Sequence, residues 1–150
     1  MTTIIIQIII VVIFSAFFSG MEIAFVASNR FRMEIDMNNN TITSRILDRF
    51  YRNSNNYISS MLVGNNIVLV IYGILMANLL NHTILATLND TPSAQLTLQT
   101  IISTIIIIIT GEFIPKTLFR INPNSTIKSL AIPAFLFYVI LYPLAQFTTW

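Results

Sequence analysis

The chain has 150 residues, of which 55% are hydrophobic and 9% charged, with a formal net charge of +2. Soluble domains carry roughly 25% charged residues, so this composition suits lipid rather than water, and the mean hydropathy of +0.75 agrees. The small, scattered charge argues against nucleic acid; the lack of cysteine excludes disulfides and thiolate chemistry; the single histidine, His82, excludes a multi-histidine metal centre within one chain.

The first segment runs from about 3 to 28. Residues 1–13 carry no Lys or Arg, and the apolar run continues to Phe18. This reads as a retained transmembrane helix rather than a signal peptide. Ser15, Ser19 and Glu22 are spaced i, i+4, i+7 and share one helix face. A polar stripe facing lipid is costly, so that face should look into a bundle.

Residues 29–56 change character. Arg30, Arg32, Arg45, Arg49 and Arg52 stand against Glu34, Asp36 and Asp48, with Asn38-Asn39-Asn40 between them. The asparagines predict a turn, flanked by short amphipathic helices at about 28–37 and 42–52. The stretch reads as a solvated hairpin on the membrane surface.

The second span runs from about 57 to 80. Gly64-Asn65-Asn66 interrupts it near its start, and Gly64 is a candidate helix break. A polar loop follows at 81–94, with Asn81, His82, Asn89, Asp90 and Pro92; His82 reads as an exposed loop residue. The third span, about 94 to 114, carries Ser103, Thr104 and Thr110 and ends in Gly111-Glu112-Phe113-Ile114-Pro115-Lys116. Pro115 removes a backbone donor and loosens the carbonyl pairing one turn earlier. Asn122-Pro123-Asn124 predicts another turn. Residues 131–150 are apolar but hold Pro133 and Pro143 and end in aromatics. They either cross a fourth time or lie at the interface, and the prolines favour a kinked interfacial or re-entrant helix.

Basic residues set the topology. The 29–57 stretch holds five arginines and 115–130 holds Lys116, Arg120 and Lys128, whereas 81–94 holds neither Lys nor Arg. The positive-inside rule places the first two in the cytoplasm and the N-terminus outside. Three polar clusters then fall at similar depth: Ser19-Gly20 with Glu22, Gly64-Asn65-Asn66, and Gly111-Glu112. Every ligand on offer is oxygen, which suits Mg²⁺, Ca²⁺ or Na⁺ rather than zinc or copper. Other uses stand beside this one. The serines can bond their own helix, the asparagines can join helices, Glu112 can pair with Lys116, and Glu22 can pair with Arg30 or Arg32. No nucleophile–base pair is evident, so an enzyme is not expected. The rival class is a membrane assembly or sensor module whose polar cluster is a structural ion site or helix glue.

Three stretches carry a family resemblance: Phe17-Phe18-Ser19-Gly20-Met21-Glu22-Ile23-Ala24-Phe25 with Ser28-Asn29-Arg30-Phe31-Arg32; Val63-Gly64-Asn65-Asn66-Ile67; and Gly111-Glu112-Phe113-Ile114-Pro115-Lys116. In order and spacing they resemble the transmembrane domain of the CNNM/CorC magnesium transporters, over essentially the whole chain. The resemblance implies an all-α membrane protein, a homodimer with three transmembrane helices per protomer. Cytoplasmic juxtamembrane helices would form a belt at 117–150. It implies a dehydrated Mg²⁺ between the spans, with export coupled to Na⁺ entry. Carried over by position, Ser19, Asn65, Asn66 and Glu112 are the side-chain ligand candidates, with carbonyls near Gly20, Gly64 and Gly111. Ser15, Glu22, Pro115 and Lys116 support them. Met21 departs from the family, where a small polar residue is common in bacterial members. The resemblance also implies a bacterial inner-membrane location and cytosolic, ATP-binding CBS domains in the full-length chain.

Overall fold

A computed structural model describes residues 1–83 and 91–149. Asn89 and Asp90 of the expected loop lie outside the described residues. The regular structure among the described residues is helical: α1 (Thr2–Ala27), α2 (Arg30–Met37), α3 (Ile42–Arg52), α4 (Ser54–Thr83), α5 (Pro92–Ile107), a π-helical turn (Ile108–Phe113), α6 (Ile114–Ile121), α7 (Pro123–Ser129) and α8 (Ala131–Thr148).

Four helical runs are long and apolar enough to cross a bilayer: α1, α4, the continuous stretch from α5 through α6, and α8. The protein is an integral membrane protein. The expected count of three spans is corrected to four candidates, because α8 survives its prolines. Pro133 falls in the first turn, where no intrahelical donor is missed, and only Pro143 lies inside the helix. With 18 residues, α8 reaches about 27 Å. It does not lie across the bundle end. Tyr138 meets Tyr57, and Leu141 lies where a side chain on Gly64 would be, so α8 and α4 advance in the same sense.

Two further expectations change. Gly64 does not break α4, which is continuous over 30 residues. A Cβ there would lie 2.7 Å from Phe18 and 2.9 Å from Leu141, so the glycine serves close packing of three helices. His82 is exposed but helical, in the last turn of α4 rather than in a loop.

The hairpin between α1 and α4 forms as its sequence predicts. Asn40 turns the chain with φ of 37°, a region asparagine tolerates. Asn29 caps α2 through the Phe31 and Arg32 amides, and Thr41 caps α3 through the Ser44 amide. α3 buries Ile46, Leu47, Phe50 and Tyr51, the stripe of an amphipathic helix. Asp36 pairs with Lys128, and the Asn29 amide donates to Asn124 Oδ1 at 2.9 Å, which ties the hairpin to α7. Tyr51 shares a hydrogen bond with Ser28. Burial pushes its phenol above the ordinary range, so it stays neutral there.

Apolar side chains form two separate clusters. The larger joins Phe18, Phe25, Phe50, Tyr57, Tyr138 and Leu141 from α1, α3, α4 and α8. The smaller joins Tyr72, Met76, Leu80 and Ile107, with Val11, Val12, Leu69 and Ile102 against it. The layer between them is polar.

Gly64→Val should overpack the three-helix contact and lower stability by about 1–3 kcal/mol. At Gly73 an added Cβ meets nothing within 4 Å, so Gly73→Ala should be neutral or stabilising, by about 1 kcal/mol at most. Thermal unfolding of both variants in detergent checks this; equal melting points would refute the packing role of Gly64.

Candidate cation site

Helix α1 delivers two serines to the polar layer. Ser15 and Ser19 are fully buried, one turn apart on the same face. The Ser15 hydroxyl donates to Asn65 Oδ1 on α4 at 2.9 Å. The Ser19 hydroxyl donates to the Gly111 carbonyl of the π-helical turn at 2.9 Å. The serines therefore bond across helices, not to their own helix.

Pro115 explains the second bond. In an α-helix the Gly111 carbonyl would accept from the amide of residue 115, and proline has none. Ser19 supplies the missing donor. The same proline shapes the turn before it. The Ile114 amide donates to the Ile109 carbonyl, a wide i to i−5 bond that skips Thr110. In that register the donor for Thr110 would again be Pro115. The Thr110 carbonyl thus loses both of its helical donors, and Thr110 is exposed. This carbonyl was not singled out from sequence; a proline five residues later was its signal.

Gly111 is required by approach distance. A Cβ there would lie 2.7 Å from Ile107 and 3.0 Å from Ser15 Oγ. Gly20 is likewise covered, with Phe119 2.7 Å from an added Cβ. These contacts pack α1 against α6. Ser15 Oγ, Ser19 Oγ, Asn65 Oδ1 and the Gly111 carbonyl form one oxygen cluster from three segments. Each oxygen keeps a lone pair beyond the bond it makes. Such a set can hold a hard cation.

The other named residues stand around this cluster. Asn65 is 7% exposed, whereas its neighbour Asn66 is exposed and does not join. Glu112 is half-buried, and its Oε2 lies 4.0 Å from Lys116 Nζ, one turn along. Glu22 is also half-buried, with Lys116 and Glu112 as its charged neighbours rather than Arg30 or Arg32. Among the described residues no three of His, Cys, Asp and Glu gather as a metal cluster, so any cation here rests on neutral oxygens with Glu112 nearby.

Sequence reasoning passed over Gln99. It lies on α5, 9% exposed, and its Oε1 has no hydrogen-bond partner. Its signal was its position one turn before Ser103 on the same face.

Comparison with known proteins places this architecture among relatives. Residues 5–150 match a family described as the cyclin M (CNNM) transmembrane N-terminal domain. The chain is 29% identical over 153 residues to the UPF0053 protein MG146 of Mycoplasma genitalium, covering 99% of this chain and 35% of that protein. It is 26% identical over 147 residues to the homologous protein of Mycoplasma pneumoniae, covering 95% of this chain and 34% of that one. The chain spans about a third of the length of the curated relatives it matches.

Ser19→Ala should strand the Gly111 carbonyl and cost about 1–3 kcal/mol. Pro115→Ala restores a backbone donor beneath it, so the same serine change should cost less than half as much in that background. A double-mutant cycle by thermal unfolding reads the difference; equal costs in both backgrounds would refute the link.

Proposed function

The chain belongs to the cyclin M transmembrane family, and from that premise we propose that it carries Mg²⁺ across the membrane. The observation that carries this reading is the oxygen cluster of Ser15, Ser19, Asn65 and Gly111, buried between two apolar layers. Polar groups at that depth are expensive unless they bind one another or a substrate. Mg²⁺ demands near-octahedral oxygen and sheds water reluctantly. A dehydrated ion needs more oxygens than the cluster's four, and Glu112 and the Thr110 carbonyl are the nearest further donors by sequence.

Glu112 supplies the charge. Its pairing with Lys116 is long and a third or more exposed on both sides, so it contributes little. An arriving divalent cation outcompetes the ammonium for the carboxylate. One carboxylate leaves the loaded site with net positive charge, which favours release and lets Na⁺ compete. Export coupled to Na⁺ entry follows as the working cycle, with the site opening alternately to each side. The cytoplasmic face is the one carrying α2, α3 and α7, by the positive-inside rule. The functional unit is a homodimer in a bacterial inner membrane, joined in the full-length chain to cytosolic CBS domains. No chemical step is catalysed.

A second reading has its own observation. The Ser15–Asn65 and Ser19–Gly111 bonds satisfy one another without any ion, as helix glue in an assembly module does.

Titration of Mg²⁺ into the purified protein in detergent separates the two. Saturable binding should be lost in Glu112→Ala, a change beyond the about 10–100-fold that removing a supporting contact costs. Glu112→Gln should weaken it less if geometry matters beside charge. Full binding in Glu112→Ala, or no binding in the unsubstituted protein, would leave the assembly reading.

A further inference from the structure

Above the oxygen cluster lies a second polar group that the site does not use. Ile107 closes the cluster on the α5 side, with Leu69, Val11 and Val12 in the same apolar layer. In the same apolar cluster Tyr72, 2% exposed, donates its hydroxyl to the Ser103 carbonyl at 3.0 Å. The Ser103 hydroxyl donates to the Thr100 carbonyl at 3.1 Å. One turn further along α5 is Gln99, on the same face as Ser103. The residue is 9% exposed, and its Oε1 accepts nothing.

A buried acceptor without a donor costs about 1–3 kcal/mol, more where no water reaches. A leucine of similar volume would avoid that penalty. An amide oxygen left open inside a membrane helix pair therefore points to something that visits it. Along α5, Gln99 lies about 18 Å from Gly111 by helical rise, and Ser103 about 12 Å. Ser103 meets α4 through its carbonyl, and Gln99 stands one turn before it on α5, toward the outer side in the topology above.

We propose that Gln99 forms a second, weaker cation position in the outer half of the route between α4 and α5. The inference rests on the transport reading above. Its ligand is a partly hydrated divalent cation, and Gln99 Oε1 replaces one water oxygen. Tyr72, whose hydroxyl oxygen keeps a lone pair, stands one turn below as the next oxygen on the path. No carboxylate belongs to this group. Neutral oxygens alone bind weakly, and a passing position must be weak enough to release its ion.

The test is Mg²⁺ flux and Mg²⁺ titration on the same purified chain, in liposomes and in detergent. Gln99→Leu should melt at the same or a higher temperature, bind Mg²⁺ at the inner cluster as before, and lose about tenfold in flux, as expected for one lost contact on the path. Gln99→Glu, placed in the Glu112→Ala protein, should restore a Mg²⁺-binding event, because it adds a carboxylate where an ion already passes. Flux abolished by Glu112→Ala but untouched by Gln99→Leu overturns this proposal alone. So does a Gln99→Leu protein that fails to fold, which makes the amide structural, and so does a silent titration of the Gln99→Glu, Glu112→Ala protein. No flux and no binding in the unsubstituted chain overturns both this proposal and the transport reading.

Discussion

A single missing hydrogen, the amide proton that Pro115 does not have, sets the geometry at the centre of this bundle. A helix crossing a membrane must satisfy its own backbone, because lipid offers no donors. Pro115 breaks that rule at two carbonyls. The helix answers by widening into a π-helical turn over Ile108–Phe113, and α1 answers by presenting Ser19 to Gly111. The bond between Ser19 and Gly111 is therefore both a repair and a constraint on how closely α1 must approach. That approach in turn excludes a side chain at residue 111, where Ser15 and Ile107 already fill the space.

The rest of the packing distributes around this layer. On one side, aromatic rings from four helices interlock, with Phe50 and Tyr57 centroids 4.3 Å apart and Phe18 and Phe137 5.1 Å apart. On the other, Tyr72, Met76, Leu80 and Ile107 form a smaller plug. Apolar layers above and below lower the local dielectric, which strengthens the bonds within the polar layer and raises the penalty for leaving any group unpaired. Neutral hydroxyl, amide and carbonyl groups can endure there in mutual bonds. The charged groups, Glu22, Glu112 and Lys116, sit at the half-buried edge of this layer. On the transport reading, that division is what lets the layer stay closed when empty and open to a cation.

The hairpin and α7 give the bundle a polar end. Asp36 with Lys128, Asn29 with Asn124 and Ser28 with Tyr51 connect elements far apart in sequence. They fasten the end of α1 that leads directly to Ser19. Movement of this end would be felt at the Ser19–Gly111 bond, since one continuous helix carries both.

Much of this was legible in the residues themselves. Long apolar runs in lipid read as helices, so three of the four candidate spans, the hairpin with its Asn38–Asn40 turn, and the family followed from hydropathy and motif. Loosened pairing before Pro115 followed from proline's chemistry. Spacing also put Ser15 and Ser19 on one face, because a helix repeats every 3.6 residues wherever it sits. What local sequence could not decide was which groups meet. Gly64 read as a break, yet it is a contact point, since only the approach of Phe18 and Leu141 reveals the crowding. Asn65 and Asn66 read as a pair, yet helical rotation buries one and exposes the other. The prolines of α8 argued against a span, but Pro133 falls in the first turn, where its missing donor costs nothing, and the helix continues through Pro143. Gln99 looked ordinary until its amide oxygen proved buried and unpartnered. Backbone chemistry and periodicity are local and can be read from the chain; burial, close approach and unsatisfied partners are properties of pairs, and only the tertiary structure assigns them.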